Sequence, residues 1–364
     1  MELLNRKKTG KVERPVKVLQ FGEGNFLRAF VDYMIDIANE QGKFNGDIVL
    51  VKPIEFGSLD RFHDQECQYT VQLRGIVDGE PKRINRIVTS VADAVDAYGE
   101  YQKYADYAKL DSLRYIVSNT TEAGIVYDDT DRLEMEPPKS YPGKLTKFLY
   151  ERYKHFNGAM DKGLVMLPVE LIDDNGIHLK ECVEKLAVLW NLEDGFKTWL
   201  DEACVFTSTL VDRIVTGYPR DEAEELCKEF GYQDNLIVTG EPFALWVIES
   251  AKDISKEFPL PDAGLPVIFT DNQKPYKQRK VRILNGAHTS FVLASYLCGN
   301  DIVLESMQDE LIFNFMKATI FDEVIPTLTL PKQDLIDFAE AVITRFNNPY
   351  VKHALLSISL NSVS

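Results

Sequence analysis

The sequence predicts an α/β protein, a Rossmann-like, mainly parallel sheet domain followed by an all-α domain. Three observations point to this. A short apolar run, Val16 to Phe21, passes through Gly22 and Gly24 into a segment with helical spacing. Apolar runs of strand length then alternate with helical segments. From about Pro275 onward, every apolar pattern repeats at helical spacing. The boundary falls just after the loop TDNQKPY, giving domains over 1–275 and 276–364.

In VKVLQFGEGNFLRAFVDYMIDIAN, the apolar residues after the glycines are Phe26, Leu27, Phe30, Val31, Met34 and Ile35. Their spacing predicts a strand, a glycine turn and an amphipathic helix. Such a turn lets backbone N–H groups at a helix N-terminus approach a pyrophosphate. Leu27 stands where the usual fingerprint has its third glycine, so the turn alone leaves a plain strand–helix connection open. DIVLVKP (47–53) is the second parallel strand. An acid at its end would hold the ribose hydroxyls of NAD; Lys52 and Pro53 stand there instead. That lysine suits a 2′-phosphate or a solvated loop, which leaves NAD against NADP open.

QYTVQLRGIV (68–77) and RINRIVTSV (83–91) read as strands, and DAVDAYGEYQKYADYAKL as a polar helix. LRYIVSNTTEAGI is a strand with a polar tip, Ser118 to Glu122. Open α/β sheets bind ligands beyond such strand ends, although a surface loop fits the same residues. GLVMLPVELI (163–172) and CVFTSTLVDRIV (204–215) complete the strands. KVRILNGAHTSFVLASYL, SMQDELIFNFMKATIFDEVI and KQDLIDFAEAVITRF are the C-terminal helices, punctuated by Pro326, Pro331 and Pro349.

The 364 residues suffice for two domains, and the formal net charge of −16 argues against nucleic acid and anionic membranes as partners. Five scattered cysteines without a C-x-x-C pair suit a reducing, cytoplasmic setting. No signal peptide and no membrane-spanning run are expected. No H-x-H or H-E-x-x-H spacing occurs, so no metal is expected.

KVRILNGAH (280–288) sets a lysine, an asparagine and a histidine in an apolar segment. On an α-helix at 100° per residue, with Lys280 at 0°, Leu284, Ala287 and Phe291 share its face. His288 falls at about 80° and Asn285 at about 140° on the same construction, beside the core-facing stripe. One reading is a snorkelling lysine, a core histidine and a packing asparagine. The other is chemical. Burial lowers a lysine's pKa, so Lys280 could act as an acid or base near neutrality. An asparagine amide can donate to a carbonyl or alkoxide oxygen, and a histidine can orient the lysine or bind a hydroxyl.

K-x-x-x-x-N-x-x-H at 280–288 resembles the active-site signature of the polyol-specific long-chain dehydrogenases, the mannitol dehydrogenase family. FGEGNFLRAF (21–30), YTVQLRG (69–75), VDRIVTGYP (211–219), EPFALWVIE (241–249) and RFNNPYVKH (345–353) agree in order, so the resemblance spans almost the whole chain. SNTTEAGI (118–125), LPVELIDDNG (167–176) and LNGAHTS resemble the branch of the family that acts on sugar acids. The resemblance implies NAD-dependent hydride transfer between a keto sugar acid and its alcohol. A related ketouronate reductase or mannitol-type enzyme is the alternative, and an inactive cofactor-binding remnant is the alternative of another class.

Position by position, the resemblance implies Lys280 as catalytic acid/base, with Asn285 and His288 at the reacting oxygen and its neighbouring hydroxyl. Asp212, Arg345 and Lys352 would contact substrate. The fork of Arg345 suits a carboxylate. Gly22 and Gly24 would hold the cofactor pyrophosphate, with Asn25 and Phe26 close by and Thr121 and Glu122 near the nicotinamide. Two departures stand out. The family's second active-site asparagine is replaced in PVELIDDNG, where Glu170 could pair with Lys280 and raise its pKa. The family's helical domain also runs on beyond SISLNSVS. A chain lacking those helices is expected to expose core surface.

Overall fold

The computed structural model describes residues 1–121 and 123–360. These form two compact units. The first comprises Met1–Val71, Asn85–Thr239 and Ala244–Asp271; the second comprises Gln72–Ile84, Gly240–Phe243 and Asn272–Ser364. In chain order the strands are β1 (Val16–Phe21), β2 (Asp47–Lys52), β3 (Tyr69–Val77), β4 (Glu80–Val88), β5 (Val91–Asp96), β6 (Tyr115–Ser118), β7 (Val165–Pro168), β8 (Val205–Phe206), β9 (Ser208–Asp212), β10 (Val215–Gly217), β11 (Val238–Gly240), β12 (Leu245–Glu249) and β13 (Val267–Thr270).

As the sequence predicts, the first unit is built on a parallel sheet. Its six strands run β5-β2-β1-β6-β7-β8, every pair parallel. The order reverses beside β1, which makes the carboxyl ends of β1 and β6 a topological switch point. β1 and β2 are almost wholly buried, as strands covered on both faces require. Their residues Leu19, Phe21, Val49 and Val51 share a core with Leu145, Phe148 and Leu149 of the helix Tyr141–His155 and Val183 of the helix Asn175–Leu189. A three-stranded sheet, β13-β12-β9, mixes parallel and antiparallel pairs.

Two expectations are corrected. DAVD does not open a helix. Residues 91–96 are β5, and the helix begins only at Tyr101. Parallel pairing with β2 satisfies the backbone of this segment, and Ala94 and Val95 are buried against the sheet. CVFTSTLVDRIV is not one strand; it supplies β8, β9 and β10, and β8 and β9 lie in different sheets.

The second unit is mainly helical. Its core includes Ile283, Ala287, Phe291, Met316, Ile320, Leu335, Ala339 and Val342, all at most 1% exposed. Leu293, Leu297, Leu311, Phe315, Leu356 and Leu360 are exposed on the same unit. No helix among the described residues is long and apolar enough to cross a membrane.

Candidate active site

The glycine turn stands at the switch point. Gly22 has φ +120°, and a Cβ there would lie 3.2 Å from both the Asn119 carbonyl oxygen and Leu27 Cδ1. Backbone and packing therefore both require glycine. Leu27 fills the space of the missing third glycine and is 1% exposed. Gly24 caps the helical stretch 25–40; it is exposed, and nothing lies within 4 Å of where its Cβ would be. The fold makes no demand for glycine there, whereas a ligand pressed against the backbone would. Asn25 is exposed and Phe26 half-buried, stacked 5.0 Å from Phe30. These residues fit a dinucleotide pyrophosphate.

Lys52 is neither solvated nor turned to a ligand. It is 1% exposed, and its Nζ donates to the carbonyls of Ile54 and Glu55 at 3.0 and 3.2 Å. It also pairs with Asp96 at 3.0 Å. The lysine closes the loop after β2.

At the tip of β6, Thr121 is exposed with φ +85°. Glu122 lies outside the described residues. Glu170, 2% exposed, accepts from Thr120 N and Oγ1 at 3.0 and 2.9 Å and from Ser118 Oγ at 3.1 Å. Burial pushes its carboxyl pKa up, against these bonds. Glu170 thus fastens the polar tip of β6 to the end of β7. Asn175 does the same for β9, donating to the Pro168 and Thr209 carbonyls at 3.1 and 3.2 Å.

In the second unit, KVRILNGAH is not a uniform α-helix. The α-helix Lys274–Arg279 passes into a π-helical turn, Lys280–Asn285, and resumes as Gly286–Leu297. The Gly286 N–H reaches the Val281 carbonyl, five residues back. This corrects the 100° projection. A π-turn holds more residues, so each advances through a smaller angle and residue i+5 returns over residue i. Asn285 therefore comes round towards the face of Lys280, and His288 lies three α-helical residues beyond it, on the same side. Lys280 is half-buried, and Asn285 is exposed instead of tucked beside the core. Ile283, Leu284 and Ala287 supply the buried face.

His288 stacks on Phe346, ring centroids 4.5 Å apart at 27°, with His353 edge-on at 5.4 Å. Its Nε2 is buried without a hydrogen-bond partner. Burial, then His353 and Arg345, hold its pKa down at about 3. It therefore works as a neutral ring with one nitrogen to offer. The unfolded chain takes up a proton near pH 6.5 and the native state does not. The stability from this site is thus complete above pH 6.5 and drains away as pH falls towards about 3. By pH 5 the loss should reach about 2 kcal/mol. His288→Phe should flatten that acid limb in urea titrations at pH 7 and pH 5; an unchanged limb would assign it elsewhere.

Arg345 ends the helix Lys332–Phe346, and its Nε and Nη2 donate to Glu241 Oε2 and Oε1 at 3.0 and 2.8 Å. The guanidinium carbon lies 4.3 Å from the centroid of the Phe243 ring. Glu241 thus occupies the Nε–Nη2 edge of the fork that suits a carboxylate. Asn348 Nδ2 donates to the Arg74 carbonyl at 2.9 Å. A Cβ on Gly75 would meet Pro242 Cδ at 2.7 Å. Three distant segments, LRG, EPF and RFNN, thus converge on Arg345, and together they line a cavity of about 380 Å³. Asp212 ends β9, buried at 6% exposure, and Lys352 is exposed.

Sequence reasoning did not single out Glu241, His353 or Arg28. All three lie inside quoted segments, EPFALWVIE, RFNNPYVKH and FGEGNFLRAF, and that membership was the available signal. Among the described residues, no three His, Cys, Asp or Glu side chains are grouped to hold a metal ion.

A six-stranded doubly wound sheet with its glycine turn at the switch point defines a dinucleotide-dependent oxidoreductase. The chain belongs to the mannitol dehydrogenase family: residues 16–261 match the mannitol dehydrogenase Rossmann domain, and 272–364 match the mannitol dehydrogenase C-terminal domain. It is an NAD-dependent enzyme acting on CH–OH groups. An altronate oxidoreductase of Bacteroides thetaiotaomicron is 46% identical over 362 residues, 100% of this chain and 76% of that protein. That of Pectobacterium atrosepticum is 48% identical over 365 residues, 100% of this chain and 75% of that protein. A substrate-free D-sorbitol dehydrogenase has the same fold, with TM-score 0.82 and 22% identity over 98% of this chain and 77% of that one. So does Pseudomonas fluorescens mannitol 2-dehydrogenase in complex with NAD and D-mannitol, at 0.76 and 23% over 98% and 76%.

Proposed function

We propose that this enzyme interconverts D-tagaturonate and D-altronate with NAD(H), in the cytoplasm. The observation that supports this most is identity of 46 and 48% to altronate oxidoreductases along the entire chain. The bound nicotinamide supplies or accepts the hydride. Gly22 and Gly24 hold the pyrophosphate, with Asn25 and Phe26 beside it and Thr121 towards the nicotinamide.

Lys280 moves the proton at the reacting oxygen, giving it during reduction and taking it during oxidation. The Asn285 amide donates to that oxygen as negative charge develops on it. His288, neutral, offers Nε2 to the adjacent hydroxyl. Asp212, Lys352 and Arg345 serve the remaining hydroxyls and the charge of the sugar acid. All five cysteines are unpaired, which suits a reducing compartment.

NAD is the preferred dinucleotide, because Lys52 at the end of β2 is already held by Asp96 and three loop carbonyls. Steady-state rates with NADH and NADPH against D-tagaturonate, D-fructuronate and D-fructose test both statements. The expected outcome is fast NADH oxidation with D-tagaturonate alone. Faster turnover of D-fructuronate or D-fructose would reassign the substrate, a preference for NADPH would overturn the reading of Lys52, and no turnover with any of them would favour a chain that only binds cofactor.

A further inference from the structure

Arg28 is a buried cation with no role in the chemistry above. It opens a π-helical segment, Arg28–Asp32, inside the helical stretch that the glycine turn begins, and it is 6% exposed. Its Nη2 donates to Asn25 Oδ1 at 2.7 Å and its Nη1 to the Leu236 carbonyl at 2.6 Å. The guanidinium lies over the rings of Phe62 and Tyr69, 5.5 and 5.2 Å from their centroids. Tyr69 in turn donates to Asp32 at 2.6 Å. On the other side of Asn25, Gly217 has φ +85°, and a Cβ there would stand 2.9 Å from Asn25 Nδ2. The Asn25 amide is thus gripped at its oxygen by Arg28 and accommodated at its nitrogen by a glycine.

Packing alone does not call for this arrangement. Burying a guanidinium costs several kcal/mol unless its donors are met, and a leucine could fill the same place without that cost. What an arginine adds is a fixed positive charge one turn inside the helix, reinforcing the partial charge of the N-terminus, and a rigid fork that sets the side chain of the first helical residue. Both act on the backbone N–H groups of the turn.

We propose that Arg28 is a positioning residue for the dinucleotide, acting through Asn25 on the glycine turn. The proposal rests on the reading of Gly22 to Phe26 as the cofactor turn. Steady-state kinetics with NADH and D-tagaturonate, inhibition by ADP-ribose, and thermal melting of each variant test it. Arg28→Met should raise KM for NADH and Ki for ADP-ribose roughly tenfold, the worth of one hydrogen bond to a charged group. KM for D-tagaturonate should stay within about twofold, because the lost interaction serves the cofactor alone. Arg28→Lys should recover part of the loss. Asn25→Ala should weaken NADH binding too, and adding it to Arg28→Met should cost less than the sum of the two.

A folded Arg28→Met protein with unaltered KM for NADH, or with KM for D-tagaturonate raised equally, would overturn the assignment. If Arg28→Met does not fold, Asn25→Ala and Gly217→Ala decide; normal ADP-ribose binding in both overturns it. Gly22→Val is the control. Should it also bind NADH normally, the reading of the turn itself has failed; if only the Arg28 and Asn25 variants bind normally, the turn stands and Arg28 is structural.

Discussion

Lys280→Met should reduce turnover of D-tagaturonate by about 10²–10⁴-fold while NADH still binds, because methionine keeps the length of the side chain and removes its proton. Single-turnover NADH oxidation reads the first effect and fluorescence titration of the cofactor reads the second. Normal turnover would remove Lys280 from the chemistry; joint loss of turnover and NADH binding would make it a structural residue. Asn285→Ala should cost less, on the order of 10²-fold in kcat, because it deletes one donor to the developing charge and leaves the proton donor in place.

Glu241→Ala should be among the most destabilising substitutions in the second unit. It strips a two-pronged carboxylate partner from an arginine whose side chain is 4% exposed, while that of Glu241 is 2% exposed. Breaking one side of such a pair costs about 3–5 kcal/mol, mostly the penalty of an uncompensated buried charge. Urea unfolding should show this as a lower midpoint with the slope unchanged. Glu241→Leu combined with Arg345→Met should recover much of the loss, since packed apolar groups replace the pair without stranding a charge. A single-variant loss below about 1 kcal/mol would mean that water reaches Arg345.

The parallel sheet and its glycine turn were legible because their determinants are local: apolar runs of strand length, two glycines and a change of period to helical. β5 was not, because VADAVD carries two aspartates and an alternation too weak to oppose the helical residues that follow. Its strand state is decided by pairing with β2, about 45 residues earlier in the chain. The same non-local cause hid the role of Lys52, whose partner Asp96 stands at the end of that unrecognised strand. Arg345 was legible as a functional cation, but its carboxylate lies 104 residues away, and no spacing rule connects them. The triad of Lys280, Asn285 and His288 was visible as residue types. Its angular arrangement was not, because a wheel assumes one period throughout and the chain changes period at Lys280.

That change of period makes the helix a coupling between two independently phased halves. Residues up to Arg279 are indexed to one packing surface and residues from Gly286 onward to another, with the wide turn absorbing the difference. A length change within KVRILN would therefore act unevenly. Removing one residue and relaxing the turn to α-geometry would leave the downstream helix close to its present phase, because the wide turn spends its extra residue on smaller steps. Adding a residue that the turn could not widen further to absorb would rotate everything downstream by roughly 100° and carry His288 off its stack on Phe346. The segment tolerates shortening better than lengthening.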